Sequence, residues 1–113
     1  MDFESEVVAQ DFLPAVRSLL AEQLSEDYGL YQEEIAETMN ITQPAVSQYL
    51  NKKRASRKLL RKMRDDPQVM LIIEEAASNA AKEKNYLEEF RQVLETVKSK
   101  GLMKENFEDA EKL

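Results

Sequence analysis

The chain has no cysteine and no histidine, only two glycines and three prolines, and no long hydrophobic run. Without thiols or imidazoles it cannot form disulfides, Cys/His zinc sites, a cysteine nucleophile or a histidine general base. The roughly 18 consecutive apolar residues of a membrane helix occur nowhere, and the opening MDFESEV is acidic where a secretory signal would be basic. A cytoplasmic protein with no membrane partner is therefore expected. Scarce glycine and proline leave few places for hairpin turns, while Ala, Glu, Leu, Lys and Gln dominate, a composition that predicts an all-α fold. A length of 113 residues suits one domain, or one small domain with an extension, and is too short for two independent cores.

Acid is missing from one stretch in particular. Residues 1–37 carry ten acids and a single base, Arg17; residues 65–113 carry twelve acids and seven bases; residues 38–64 carry eight bases and no acid. The net charge of -6 thus conceals a local +8 between flanks of -9 and -5. With a Debye length of about 8 Å at physiological salt, the local charge decides whether phosphates are attracted. A solvated basic helix face is the alternative reading of the same run.

Turn and cap signals divide the chain into helices. Residues 4–12 read as a short helical arm or irregular lead-in whose Val7, Val8 and Phe12 pack onto the body. A helix starting near Pro14 runs through Val16, Leu19, Leu20 and Leu24 to about Asp27 and stops at Gly29. A second spans about Gln32 to Met39 and ends at Asn40, a residue tolerant of left-handed geometry. Thr42 is placed to cap a third over about Gln43 to Asn51, with Pro44 in its first turn, and Ser56 a fourth through Leu59, Leu60 and Met63. Asp66-Pro67 is a stop and a new start, and marks the expected boundary between a domain of residues 1–65, with lead-in 1–13, and an extension of residues 66–113.

In the extension, a four-three spacing recurs at Val69, Ile73, Ala76, Ala80, Glu83, Leu87, Phe90, Leu94 and Val97, with Glu83 as the one break. Two readings stand: a seam between two chains, and an antiparallel helix pair folded back on its own chain. Gly101 ends the pattern, and GLMKENFEDAEKL is expected to be a partly ordered tail.

The stretch Tyr31 to Arg54 has the pattern of two short helices meeting across a turn. Ile35, Ala36, Met39, Ile41, Val46 and Tyr49 would pack between them, with the small Ala36 allowing close approach. Gln43, Pro44, Ser47, Gln48 and Asn51 then turn outward. Gln and Asn can pair with the N6/N7 edge of adenine, and Ser can bond several bases. Gln32 and Thr42 are placed to fix a phosphate, and Lys52, Lys53, Arg54, Arg57 and Lys58 to add backbone attraction.

On these residues, QEEIAETMNITQPAVSQYLNKKR resembles the helix-turn-helix of lambda-repressor-like (XRE/Cro-type) regulators. More closely, EVVAQDFLPAVRSLLAEQL followed by YGLYQEEIAETMNITQPAVSQYL is similar to a family of small archaeal transcriptional regulators. The resemblance covers about residues 5–64 and the extension only loosely. It implies a domain of about five short helices, commonly dimeric, with Gln32 and Gln43 matching the family's paired phosphate- and base-contacting glutamines. Tyr31 stands where a capping Ser or Thr is usual, Asn40 replaces the turn glycine, and Lys52 replaces a glycine after the recognition helix. The extension lacks the cysteines its relatives often carry, so no metal or redox role is carried over and no cofactor is implied.

The expected function is a sequence-specific transcriptional regulator, binding double-stranded DNA as a homodimer on a two-fold symmetric site. An antitoxin- or adaptor-type module, engaging a protein partner through the extension with DNA binding secondary, is the runner-up, and a non-specific chromosomal protein is a third class. An enzyme is the least favoured: acid pairs such as Glu33-Glu34, Glu74-Glu75 and Glu88-Glu89 are adjacent, so on a helix they diverge by about 100° and form no dyad.

Overall fold

The structure, a computed structural model, describes residues 3–111, and every regular element among them is helical. Helix α1 (Phe3–Val7) continues through one widened turn, Val8–Phe12, into α2 (Leu13–Tyr28). Pro14 explains the widening. It has no N–H for the carbonyl four residues back and its ring crowds that carbonyl, and just upstream the Leu13 N–H donates to the Val8 oxygen, five residues back. Val7 and Phe12 are buried and Val8 half-buried, so the lead-in packs as the apolar spacing predicts.

Helix α2 is the centre of the molecule. Ala15, Val16, Ser18, Leu19, Leu20, Ala21 and Leu24 are all buried, far more than the single stripe of a surface helix. Helices α3 (Gln32–Met39), α4 (Gln43–Leu50), α5 (Arg57–Arg64) and α6 (Pro67–Ala81) all pack against it. Helix α7 (Leu87–Ser99) then returns along α6, where Ala76, Ala77 and Ala80 permit close approach and Val93 and Val97 fill the seam. One hydrophobic core runs from Val7 to Met103. Residues 66–113 therefore fold back on the earlier helices as far as they are described, and Asp66-Pro67 begins a helix without interrupting the core. Two members of the four-three pattern, Glu83 and Leu87, stay exposed, Leu87 at 66%.

The expected tail is instead a helix, α8 (Lys104–Glu111), seated on α1. Met103 is completely buried and Phe107, one turn on, half-buried; two anchors in a short acidic stretch give too little periodicity to stand out in sequence. Asn106 Nδ2 donates to Asp11 of the widened turn at 3.1 Å, and Lys98 pairs with Glu4 of α1, so both late helices are tied to the lead-in. No helix among the described residues is long and apolar enough to cross a membrane.

Helix ends show how a chain with two glycines makes its stops. Gly29 and Gly101 are left-handed, and so are Asn40, Lys52 and Glu83, with φ of 55°, 59° and 60°. After each of these three the next N–H reaches back five residues: Ile41 to Ala36 at 2.9 Å, Lys53 to Gln48 at 2.9 Å and Lys84 to Asn79 at 2.8 Å. Starts follow the expected caps. Thr42 Oγ accepts from Ala45 N–H at 3.2 Å, Ser56 Oγ from Leu59 at 3.2 Å and Asp66 from Val69 at 3.0 Å.

The Ser18 hydroxyl is buried with no hydrogen-bond partner among the described residues. Leaving a buried polar group unpaired costs about 1–3 kcal/mol, so Ser18→Ala is expected to raise the unfolding free energy by about 1 kcal/mol in a urea titration. Asp66 accepts from Lys100 Nζ at 2.9 and 3.1 Å as well as from Val69, and these bonds, Lys100 first, hold its carboxyl below the usual carboxylate range. A depressed folded-state pKa stabilises above the unfolded value, near 3.9, and that stabilisation is lost as pH falls through the folded value. Asn is also a good cap. The stability gap between wild type and Asp66→Asn should therefore close below about pH 4, and a gap independent of pH would contradict the assignment.

Candidate nucleic-acid interface

Helices α3 and α4 and the turn between them bring the sequence-selected residues together. Ile35, Ala36 and Met39 of α3 and Ala45, Val46 and Tyr49 of α4 are buried, and Ile41 plugs the corner half-buried. Tyr31, 79% exposed, supplies no side-chain cap; Glu34 instead reaches back to accept from the Tyr31 N–H at 2.9 Å. Gln32 opens α3 half-buried, and Thr42 is exposed where α4 begins. The Thr42 oxygen accepts the α4 cap bond, which leaves its own proton to donate outward.

Along α4, Gln43 and Pro44 are exposed, Ser47 and Gln48 half-exposed, and Asn51 exposed at the end. At about 100° per residue these five fall within an arc of about 140°, opposite the buried side. No acid lies on this face. Two contacts within it were not legible in the sequence. Asn51 Nδ2 approaches Ser47 Oγ at 3.4 Å, and Arg54 Nε donates to Gln48 Oε1 while the Arg54 guanidinium lies 5.3 Å from the Tyr49 ring centre. Gln48 thus has its carbonyl occupied and presents its amide N–H groups, a donor suited to guanine O6/N7 or thymine O4. Gln43 retains both halves of its amide for a paired bond to adenine. Arg54 belongs with α4 as much as with the basic run, since its stacking on Tyr49 fixes where its remaining N–H groups point.

The basic residues that follow do not act as one block. Lys52, Lys53, Arg54 and Arg57 are exposed beyond α4. Lys58 is paired with Glu105 of α8 at 2.6 Å, and Arg64 with Glu22 of α2 at 2.7 Å. Arg61, which the sequence reading did not single out, lies with Arg57 beside Asn51 and Lys52 around an open concavity. Its signal was the four-residue spacing from Arg57, which puts both on one face of α5.

A larger concavity of about 620 Å³ lies elsewhere, between α3 and the α6–α7 turn, lined by Glu34, Glu37 and Glu83 with Lys84. Its acidity makes it a poor site for a polyanion. The volume and the favourable field are on different sides of α3, and the field is the better guide to phosphate. Compared with family models, curated proteins and solved structures, the chain has no significant match in any of the three.

Lys52 sits in left-handed geometry where a glycine would be unstrained. That conformation costs an L-residue roughly 1–2 kcal/mol, partly offset because glycine frees the unfolded chain. Lys52→Gly is expected to raise thermal stability by up to about 1 kcal/mol, read by calorimetry. A loss of stability would mean that the lysine side chain makes a compensating contact.

Proposed function

We propose that this chain is a sequence-specific DNA-binding regulator of transcription of the lambda-repressor-like helix-turn-helix type, with α4 entering the major groove of a duplex. The observation that carries the reading is the acid-free outward face of α4, flanked by Lys52, Lys53, Arg54 and Arg57, on a chain whose net charge is -6. Base edges would be read by Gln43, Ser47, Gln48 and Asn51, with Pro44 making apolar contact, while Gln32 and the Thr42 hydroxyl hold flanking phosphates. Cations at the rim supply attraction independent of sequence.

A dimer on a two-fold site belongs to the same proposal, but the seam in residues 66–113 lends it little support, because α6 and α7 bury all of it except Glu83 and Leu87 within the chain. The same burial leaves Leu87 as the exposed apolar member of the seam, so the adaptor-type reading has less apolar surface to rest on.

Selection from a random duplex pool at moderate salt tests the reading. It is expected to enrich one sequence, in two half-sites centred about 34 Å apart if two copies bind. Gln43→Ala should relax discrimination at its base pair by about 1–3 kcal/mol, the worth of a paired contact, and Gln48→Ala, which removes a donor alone, by less. Lys53→Ala should instead weaken all sequences alike and flatten the salt slope by about one unit. A pool with no enrichment removes the claim of specificity.

A further inference from the structure

Helix α5 carries five cations, and the fold sorts them. At about 100° per residue, Arg57, Arg61 and Arg64 lie within an arc of about 60°, whereas Lys58 and Lys62 lie about 100° further round. The arginines, with Asn51 and Lys52, line the open concavity beside the end of α4, whose rim also includes Asp65. The lysines line a separate groove whose other wall is α8, contributed by Glu105, Asn106 and Asp109. Lys58 Nζ donates to Glu105, and this bond together with the charges of Lys58 and Lys62 holds the Glu105 carboxyl below its ordinary range. Helix α8 is positioned without that pair, by buried Met103, half-buried Phe107 and the Asn106–Asp11 bond to the α1 side.

Resting on the duplex reading, we propose that a backbone phosphate of the bound DNA sits in the concavity between Lys52, Arg57 and Arg61, and that α8 withholds Lys58 and Lys62 from the nucleic acid. The edge of the interface then runs along α5. Arg64 is already bonded to Glu22, so Arg57 and Arg61 are the guanidinium forks left to grip a phosphodiester, with Lys52 as a third charge. On the other side, a phosphate approaching Lys58 meets a carboxylate already in place, and the pair presents little net charge to it.

Salt dependence of duplex affinity, measured on the intact chain with folding checked by circular dichroism, separates the two faces. Arg57→Gln and Arg61→Gln are each expected to lower the slope of log K against log salt by about one, which is about 3.5-fold less affinity lost between 50 and 200 mM salt. Arg61→Lys should retain most of the slope. Lys58→Gln and Lys62→Gln should leave it unchanged, and Glu105→Gln should raise it by about one as Lys58 is released. If a duplex binds but Lys58→Gln costs a full unit, or Arg61→Gln costs none, the division of α5 is wrong while the functional reading survives. If wild type binds no duplex, both fall. Inorganic phosphate should compete no better than chloride of equal ionic strength; stronger competition would make the concavity a free-anion site and overturn the phosphodiester assignment.

Discussion

Burial of α2 is the constraint on which the other helices depend. Its buried apolar residues span an arc of about 240°, so no single partner can cover them, and α3, α4, α5 and α6 each take a share of its surface. The orientation of α4 is thereby set from behind: Val46 and Tyr49 are committed to the core, and the amides of Gln43, Gln48 and Asn51 have only the outer side left. The α3–α4 corner adds a second restraint, because Asn40 in left-handed geometry and the Ile41-to-Ala36 bond fix the direction in which the chain leaves α3. The backbone of this face is positioned by buried residues before any ligand arrives, and a pre-positioned backbone keeps low the ordering cost of association.

Electrostatics in this molecule is a matter of arrangement more than of total. The acids of α8 and α2 come back to the basic segment at two places, Lys58 and Arg64, and leave the space between them positive. Acid on α3 lines the opposite concavity with Glu83. Each exposed ion pair adds little to stability, since surface pairs are worth about 0–1 kcal/mol. Their consequence lies in shaping the field: the pairs trim a basic stretch of the chain into a narrower strip.

Much of the fold was legible from caps. Thr42, Ser56 and Asp66 accept the bonds their side chains suggested, and Gly29 and Asn40 adopt the left-handed geometry for which their types are suited. Lys52 and Glu83 do the same work without any local signal, because nothing in a lysine or glutamate favours that conformation; the packing of the flanking helices imposes it. The seam of residues 69–97 was visible as a pattern, but periodicity alone does not say whether the partner is another chain or the same one. At the site, exposure of Gln43, Pro44 and Asn51 followed from helical spacing. The Gln48–Arg54 bond did not, since it depends on the path of the loop after α4, and neither did the groove that α8 closes over Lys58 and Lys62, since that depends on where a later part of the chain returns.

The pairing of Lys58 with Glu105 spans 47 residues of sequence. During synthesis, therefore, the helices that form the candidate interface emerge well before the carboxylate that quiets one edge of it. Until that carboxylate arrives, Lys58 lacks the partner it has in the folded chain. Docking of α8, whose contacts join residues far apart in sequence, is what gives the surface its final outline.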